Sequence, residues 1–269
     1  MDFAAKLKQI KEDRFDLSDY LIHFTRQGNK SSFDTLKDIV TSGRINCGWS
    51  VRGYNGKRTI FGERPAICFT DMPLFSFHRY VVNRKERTKV DFYGIALHKS
   101  TMFRLGARNV IYGTTTVNEQ ENEDTGNSEV WSNPNLSGNE QYRYMLTKID
   151  DQNDWTHERE WRWANHFNKS NGDHLPLWKN NITDRFMEDV GDLDFYHDAG
   201  IFIITRYEDE VDELKNIFAN FTNRGIYNRH NVQMTFAMSL EKVSESGCLS
   251  YDKFDYLSLI RNNVCREMW

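Results

Sequence analysis

Cysteine is sparse in this sequence and never clustered. Cys47, Cys68, Cys248 and Cys265 are scattered, with no C-x-x-C pair. That spacing argues against a zinc site and against a disulfide-stapled scaffold, so no metal is expected. Long apolar runs are also missing. Nothing approaches the roughly 20 residues that a membrane-spanning helix needs, and no membrane partner is expected. The N-terminal stretch is charged throughout and has no apolar signal-peptide core, which leads to the expectation of a cytoplasmic protein. The glycine-bearing segment 46–64 matches neither a P-loop nor a dinucleotide fingerprint. Repeats, low-complexity tracts and a recognisable linker are absent as well.

What is present is a globular composition. The 269 residues are 39% hydrophobic and 14% aromatic, with a formal net charge of −4. That is ample for a core and unlike a disordered chain. The slight acidity does not exclude a nucleic-acid partner, because local basic patches matter more than the total.

Apolar spacing predicts an amphipathic helix over 1–17 and a strand over 20–25. A second helix follows, capped by Ser32 and stopped at Gly43, with Phe33, Leu36, Ile39 and Val40 on one face. Residues 66–70 read as a buried strand, and Asp71 as the start of a helix with Pro73 in its first turn. Further strands are expected at 92–97 and 109–112, with a short helix between them capped by Ser100 or Thr101. Residues 114–136 are polar and read as a mobile loop, and 136–149 as a helix carrying Tyr142, Met145, Leu146 and Ile149. A loop with a short helix is expected over 168–195. A buried strand at 200–204, a helix at 209–223, a strand at 231–237 and a closing helix at 252–266 complete the pattern. The economical answer is one α+β domain, with a core of about 18–205 and a C-terminal α/β extension of about 206–269.

The stretch with the most chemistry is 157–163. On a strand, Glu158, Glu160 and Arg162 point to one face, and Arg159, Trp161 and Trp163 to the other. Two tryptophans behind and two acids in front would hold the carboxylates firmly. Alternation alone is equally the mark of a half-buried strand with a solvated face. Two upstream strands give it company: His23-Phe24-Thr25, and Cys68-Phe69-Thr70 running into Asp71.

Together these three strands resemble the ADP-ribosyltransferases. In the branch of the poly-ADP-ribose polymerases, a first strand carries His-x-Ser/Thr, a second resembles Tyr-Phe-Ala-Asp, and a late strand supplies a glutamate. His23 and Thr25 resemble the first motif. Residues 66–80 resemble the second, with Cys68 where an aromatic is usual, and Glu160 resembles the late glutamate. The N-terminal half also resembles the DarT-type toxins that modify DNA. The series CFTDMPL, YGIALHK, GARNVIYG and EREWRW is similar to the AbiGi-type family of phage abortive-infection proteins over about residues 20–165.

The resemblance implies an ADP-ribosyltransferase-like split β-sheet core with flanking helices, and NAD as substrate. Glu160 would be the catalytic carboxylate, stabilising positive charge on the ribose as nicotinamide leaves. Glu158 would orient the acceptor or act as its general base. His23, Phe24 and Thr25, with Cys68, Phe69 and Thr70, would line the cofactor site. Arg26, Arg52, Arg58 or Arg64 could meet the pyrophosphate, since guanidinium suits phosphate oxygens; Arg58 is carried in the candidate site, although the sequence does not choose. Basic and aromatic residues at 78–89, and Trp49, Tyr54, Lys57 and Arg58, suit phosphates and unpaired bases. The expected acceptor is therefore single-stranded nucleic acid, RNA ahead of DNA, with a cognate antitoxin as protein partner. The alternatives are a protein acceptor, hydrolysis of NAD without transfer, and a non-catalytic antitoxin or regulatory module. Several residues also have plainer readings: His23 as a core histidine, Asp71 as a helix cap, and 79–89 as an exposed helix face.

Overall fold

The computed structural model describes residues 16–50, 58–114, 118–121, 128–147, 156–165, 173–178, 200–222, 235–246, 259 and 264–268. Along the chain run β1 (Tyr20–Phe24), α1 (Ser32–Ser42), β2 (Arg44–Asn46), β3 (Ile67–Thr70), α2 (Leu74–Asn83), β4 (Gly94–His98) and α3 (Lys99–Arg104). Then follow β5 (Arg108–Asn109), β6 (Ile111–Gly113), β7 (Asn118–Glu121), β8 (Ser128–Ser132), β9 (Tyr144–Leu146), β10 (Glu160–Trp163) and β11 (His174–Pro176). The chain closes with β12 (Ile201–Thr205), α4 (Glu208–Thr222), β13 (Thr235–Ser239), α5 (Leu240–Glu245) and β14 (Arg266–Glu267). The fold is mixed α+β. Two compact units are interleaved in sequence: one takes Met1–Arg44, Asp71–Thr101 and Pro176–Trp269, the other Ile45–Thr70 and Met102–Leu175. Among the described residues no helix is long and apolar enough to cross a membrane.

In the first unit the strands lie in the order β14-β13-β12-β4-β1. β12 and β13 run parallel with α4 as their crossover, and the other pairs are antiparallel. All five residues of β12 and of β13 are buried, which explains the apolar runs Ile201–Ile204 and Phe236–Met238. Val211, Leu214 and Phe218 form the buried stripe of α4, with Ile217 at its margin. Glu208, Asp209 and Glu210 fill its first turn, where the helix dipole favours negative charge. Trp178 sets its ring edge-on to Phe218, with 5.1 Å between centroids, and donates to Thr235 Oγ1 at 2.8 Å.

The β1–β4 pairing places Phe24 opposite Gly94 and His23 opposite Ile95. A Cβ at Gly94 would lie 2.8 Å from the His23 carbonyl oxygen and 3.1 Å from Ile22 Cγ2. Glycine is therefore needed for the close approach of two backbones, and overpacking of this kind costs about 1–3 kcal/mol. Gly94→Ala is expected to lower stability by that amount, read as a fall in the urea midpoint. An unchanged midpoint would refute the contact.

In the second unit β10 is the middle strand of three, between β3 and β5, all antiparallel. β6 pairs parallel with β9, and β7 antiparallel with β8. Ile60, Ala66, Tyr142 and Ala164 form a buried cluster on which Trp49 and Cys68 pack. Trp163 is fully buried and donates from Nε1 to the Leu105 carbonyl at 2.8 Å.

Several sequence expectations are corrected. Ser31, not Ser32, caps α1: its hydroxyl accepts from Asp34 N, and the helix ends at left-handed Gly43. Ser32 is buried instead and donates to Asp91 Oδ2 at 2.6 Å. α2 begins at Leu74 with Pro73 at the cap, so Asp71 does not start it; Asp71 is buried, with its carboxylate 3.5 Å from Lys99 Nζ. α3 begins at Lys99, so Ser100 and Thr101 lie inside it rather than capping it. The strand expected at 109–112 is divided into β5 and β6, which pair with different partners. Within the span expected to be a mobile loop, β7 and β8 form a ribbon whose backbone pairing owes nothing to apolar alternation. The helix expected at 136–149 is a 3₁₀ segment, Gly138–Arg143, followed by β9. There the Gln141 side chain bonds Asn133 and Leu136, and pairing with β6 overrides the helical spacing. The helix at 1–17 lies almost wholly outside the described residues, as do most of 168–195 and 252–266. Of the last segment, Arg266 is a strand residue.

Candidate active site

The 157–163 stretch is not one strand. Thr156–Glu158 form a 3₁₀ turn, Arg159 has a φ of +48°, and β10 begins at Glu160. A left-handed residue breaks the alternation, so Glu158 and Glu160 do not project together from a strand face. A non-glycine residue held there costs about 1–2 kcal/mol. Arg159 N bonds back to the Thr156 carbonyl at 3.2 Å, closing the turn. Across from it, Thr70 Oγ1 donates to the Glu158 carbonyl at 2.6 Å. Thr70 is itself buried. Thr70→Val should therefore cost about 1 kcal/mol by removing that hydrogen bond, measured as a loss in urea-unfolding free energy. A neutral result would show that the hydroxyl does not hold the turn.

Glu160 is 8% exposed and stands opposite Thr70 in the β3–β10 register. Its face of the strand continues with Arg162, as alternation predicts. Arg162 is fully buried, and its Nε donates to Glu160 Oε1 at 2.8 Å. Nη1 donates to the carbonyls of Thr59, Tyr142 and Tyr144 at 3.1, 2.8 and 3.1 Å. Burial alone would lower the guanidinium pKa, but the carboxylate of Glu160 outweighs it and the net shift is upward. Arg162 thus ties Glu160 to three carbonyls on two backbone segments, one at Thr59 and one at Tyr142–Tyr144. Trp161, opposite Phe69, and Trp163, opposite Ile67, are buried on the alternate positions.

Sequence reasoning missed Tyr112. Its phenol oxygen accepts from the backbone N–H of Glu160 at 2.9 Å. Burial raises its pKa to about 12, helped by the nearby charges of Glu160 and Glu158. Half-buried on β6, it is a neutral O–H donor at neutral pH. Only three-dimensional pairing brings it to β10, and no sequence signal marks it. Glu158 is half-buried at the end of its turn.

The remaining candidate residues are distributed as follows. Phe69 and Thr70 are buried on β3; Cys68 is half-buried there, opposite Arg162. Arg58 donates to the Gly62 carbonyl at 2.9 Å, and its guanidinium lies over the Trp49 ring at 3.5 Å from the centroid. In the first unit, His23 and Phe24 are half-buried at the end of β1, and the Phe24 ring lies 6.2 Å from that of Phe77. Thr25 is buried; its N–H bonds Tyr93 O at 2.8 Å and its hydroxyl donates to Ser32 O at 2.7 Å. From there a buried chain continues through Ser32 to Asp91, whose other oxygen accepts from Phe92 N at 2.9 Å. The donor of Thr25 is thus committed to the fold. In the 78–89 run, Arg84 bonds the Tyr80 hydroxyl, and Arg87 bonds the Val81 carbonyl at 2.9 Å and stacks over Phe92 at 4.5 Å. Among the described residues no group of three His, Cys, Asp or Glu side chains is arranged to hold a metal ion. Arg52, Tyr54 and Lys57 lie outside the described residues.

Comparison with protein-family models, with curated proteins and with solved structures gives no match to the chain. The functional reading therefore rests on the residues and their geometry.

Proposed function

We propose that this chain is an NAD-dependent ADP-ribosyltransferase, the toxin of a phage-defence toxin–antitoxin pair, which transfers ADP-ribose to a base of single-stranded nucleic acid. The observation that carries the reading is the register of Glu160 opposite Thr70. Two motifs 90 residues apart in sequence, the late glutamate and the second strand of the resemblance, are neighbours on adjacent strands. The carboxylate is also largely shielded from water and held in orientation by Arg162, the kind of preorganisation that stabilises a developing cation.

In the proposed reaction the bond between nicotinamide and ribose breaks, and nicotinamide leaves with the electron pair. Glu160 stabilises the oxocarbenium-like ribose. A nitrogen or oxygen of the acceptor attacks that carbon and loses its proton, with Glu158 as the nearby base. Of the substrate-side roles that the resemblance implies, those of His23, Phe24 and Thr25 belong to the first unit, and those of Cys68, Phe69 and Thr70, with Arg58 for the pyrophosphate, to the second.

A second reading is favoured by one specific observation. Both carboxylate oxygens of Glu160 face the guanidinium, Oε2 at 3.5 Å from Nη2. Glu160 would then be the counter-ion of a structural arginine, and the chain a non-catalytic regulatory module. Incubation of the purified protein with labelled NAD and separate RNA, DNA and protein pools decides between them. Label in RNA, or second in DNA, with release of nicotinamide is the expected result. Label in protein would move the acceptor, and nicotinamide release with no label would make the chain a hydrolase. Neither label nor nicotinamide would leave the regulatory module.

A further inference from the structure

The basic and aromatic residues of the 78–89 run do not stand alone in the first unit. Arg87 lays its guanidinium over the Phe92 ring, 4.5 Å from the centroid. Arg206, from the turn between β12 and α4, comes to the same ring at 4.8 Å and lies 4.7 Å from the centroid of Tyr207. Arg84 lies over Tyr80 at 5.4 Å. Three arginines are thus laid on aromatic rings, and two of them share one ring.

Their charges are not equally spent. Arg87 has Asp91 Oδ1 at 3.8 Å from its Nε and a further bond to the Val81 carbonyl. Arg206 is exposed, and among the described residues no carboxylate pairs with its guanidinium. Glu210 accepts instead from the backbone N–H groups of Arg206 and Tyr207, at 3.1 and 2.9 Å, and from the Tyr93 hydroxyl. Two guanidiniums held at one ring repel each other, and an anion beside them relieves that repulsion. A guanidinium held over a ring keeps its N–H edge for phosphate oxygens and its outer plane for a base. Tyr207, 40% exposed, adds a second stacking surface beside it. An acidic peptide would use the N–H edges alone and leave both planes idle.

We propose that Arg87, Phe92, Arg206 and Tyr207 form a surface that holds single-stranded nucleic acid, the guanidiniums meeting phosphates and Tyr207 stacking on an unpaired base. None of these side chains reads the sugar, so RNA and DNA strands are held alike. In the transferase reading above, on which the surface's role as acceptor site rests, the strand held here is the acceptor.

The test is fluorescence anisotropy of the full-length chain, without NAD, on a labelled mixed-sequence strand of about 12 nucleotides, as RNA and as DNA. The wild type is expected to bind both, and the corresponding duplex at least about tenfold more weakly. Arg206→Ala should weaken binding about tenfold and reduce the slope of log affinity against log salt by about 0.7, the share of one phosphate on a single strand. Arg206→Lys should keep the slope and recover only part of the affinity, because the charge remains and the plane does not. Tyr207→Ala should lose at least about fivefold with the slope unchanged. Its hydrogen bonds among the described residues are made by its backbone, so this variant decides if Arg206→Ala, by uncovering Phe92, fails to fold. No binding by the wild type, binding of one sugar type alone, equal binding of duplex, or unchanged affinity in the folded variants overturns the proposal. Displacement of the strand by poly-glutamate as readily as by unlabelled strand also overturns it, since charge alone would then be recognised. If the strand binds in this way but takes no label from NAD, the transferase reading fails and the surface stands. If label is transferred and Arg206→Ala changes neither binding nor labelling, the surface fails and the transferase reading stands.

Discussion

Arg162→Ala is expected to unfold the second unit, or to leave it within about 2 kcal/mol of unfolding. Removing one partner of a buried ion pair costs about 3–5 kcal/mol, because the remaining charge is left uncompensated in a poorly polarisable site. Here the stranded group is Glu160, 8% exposed. Three backbone carbonyls, those of Thr59, Tyr142 and Tyr144, lose their donor at the same time, at about 1–3 kcal/mol for each that finds no water. The sum is comparable with the roughly 5–15 kcal/mol that stabilises a typical domain. The measurement is urea unfolding followed by tryptophan fluorescence, with Trp161 and Trp163 on the same strand as reporters. A loss below about 1 kcal/mol would mean that Arg162 does not organise the unit. The double variant Arg162→Met, Glu160→Leu removes both charges together. It should recover much of the lost stability, since apolar replacement of a buried pair is often neutral or better. Recovery locates the damage in the stranded carboxylate rather than in the lost carbonyl bonds.

The sequence reaches further into the fold than into the candidate site. Strand β12, helix α4 and helix α1 were legible because their apolar residues recur at the period of the element and their ends carry ordinary stop signals, such as Gly43. The Glu160–Arg162 contact was half legible. Alternation put both on one face, but not the ion pair or the three carbonyls behind it. Glu158 was misread because a single left-handed residue, Arg159, resets the alternation, and nothing in an arginine announces a positive φ. The ribbon β7–β8 and the strand β9 were missed for a common reason: they are held by backbone pairing with another strand, which residue periodicity does not record. Tyr112 reaches Glu160 from 48 residues upstream, and only tertiary pairing makes that contact.

Glu160→Gln should separate catalysis from structure, provided that it is read against Glu160→Asp. The glutamine keeps the shape and an oxygen for Arg162 Nε but removes the charge. If Glu160 stabilises the oxocarbenium-like ribose, nicotinamide release per folded molecule should fall about 10²–10³-fold, by analogy with loss of a single preorganised charge-stabilising group. It should also lower stability, because the buried guanidinium loses its counter-ion; the folded fraction must therefore be measured by circular dichroism at each assay temperature. The aspartate restores the charge but withdraws it by one methylene. It should regain more of the stability than of the rate, because a counter-ion tolerates a shift that a reacting geometry does not. Toxicity on expression should follow the rate and not the stability. If both variants are unstable in proportion to their loss of activity, with an unchanged rate per folded molecule, Glu160 serves Arg162 alone and the carboxylate at the start of β10 is part of the scaffold.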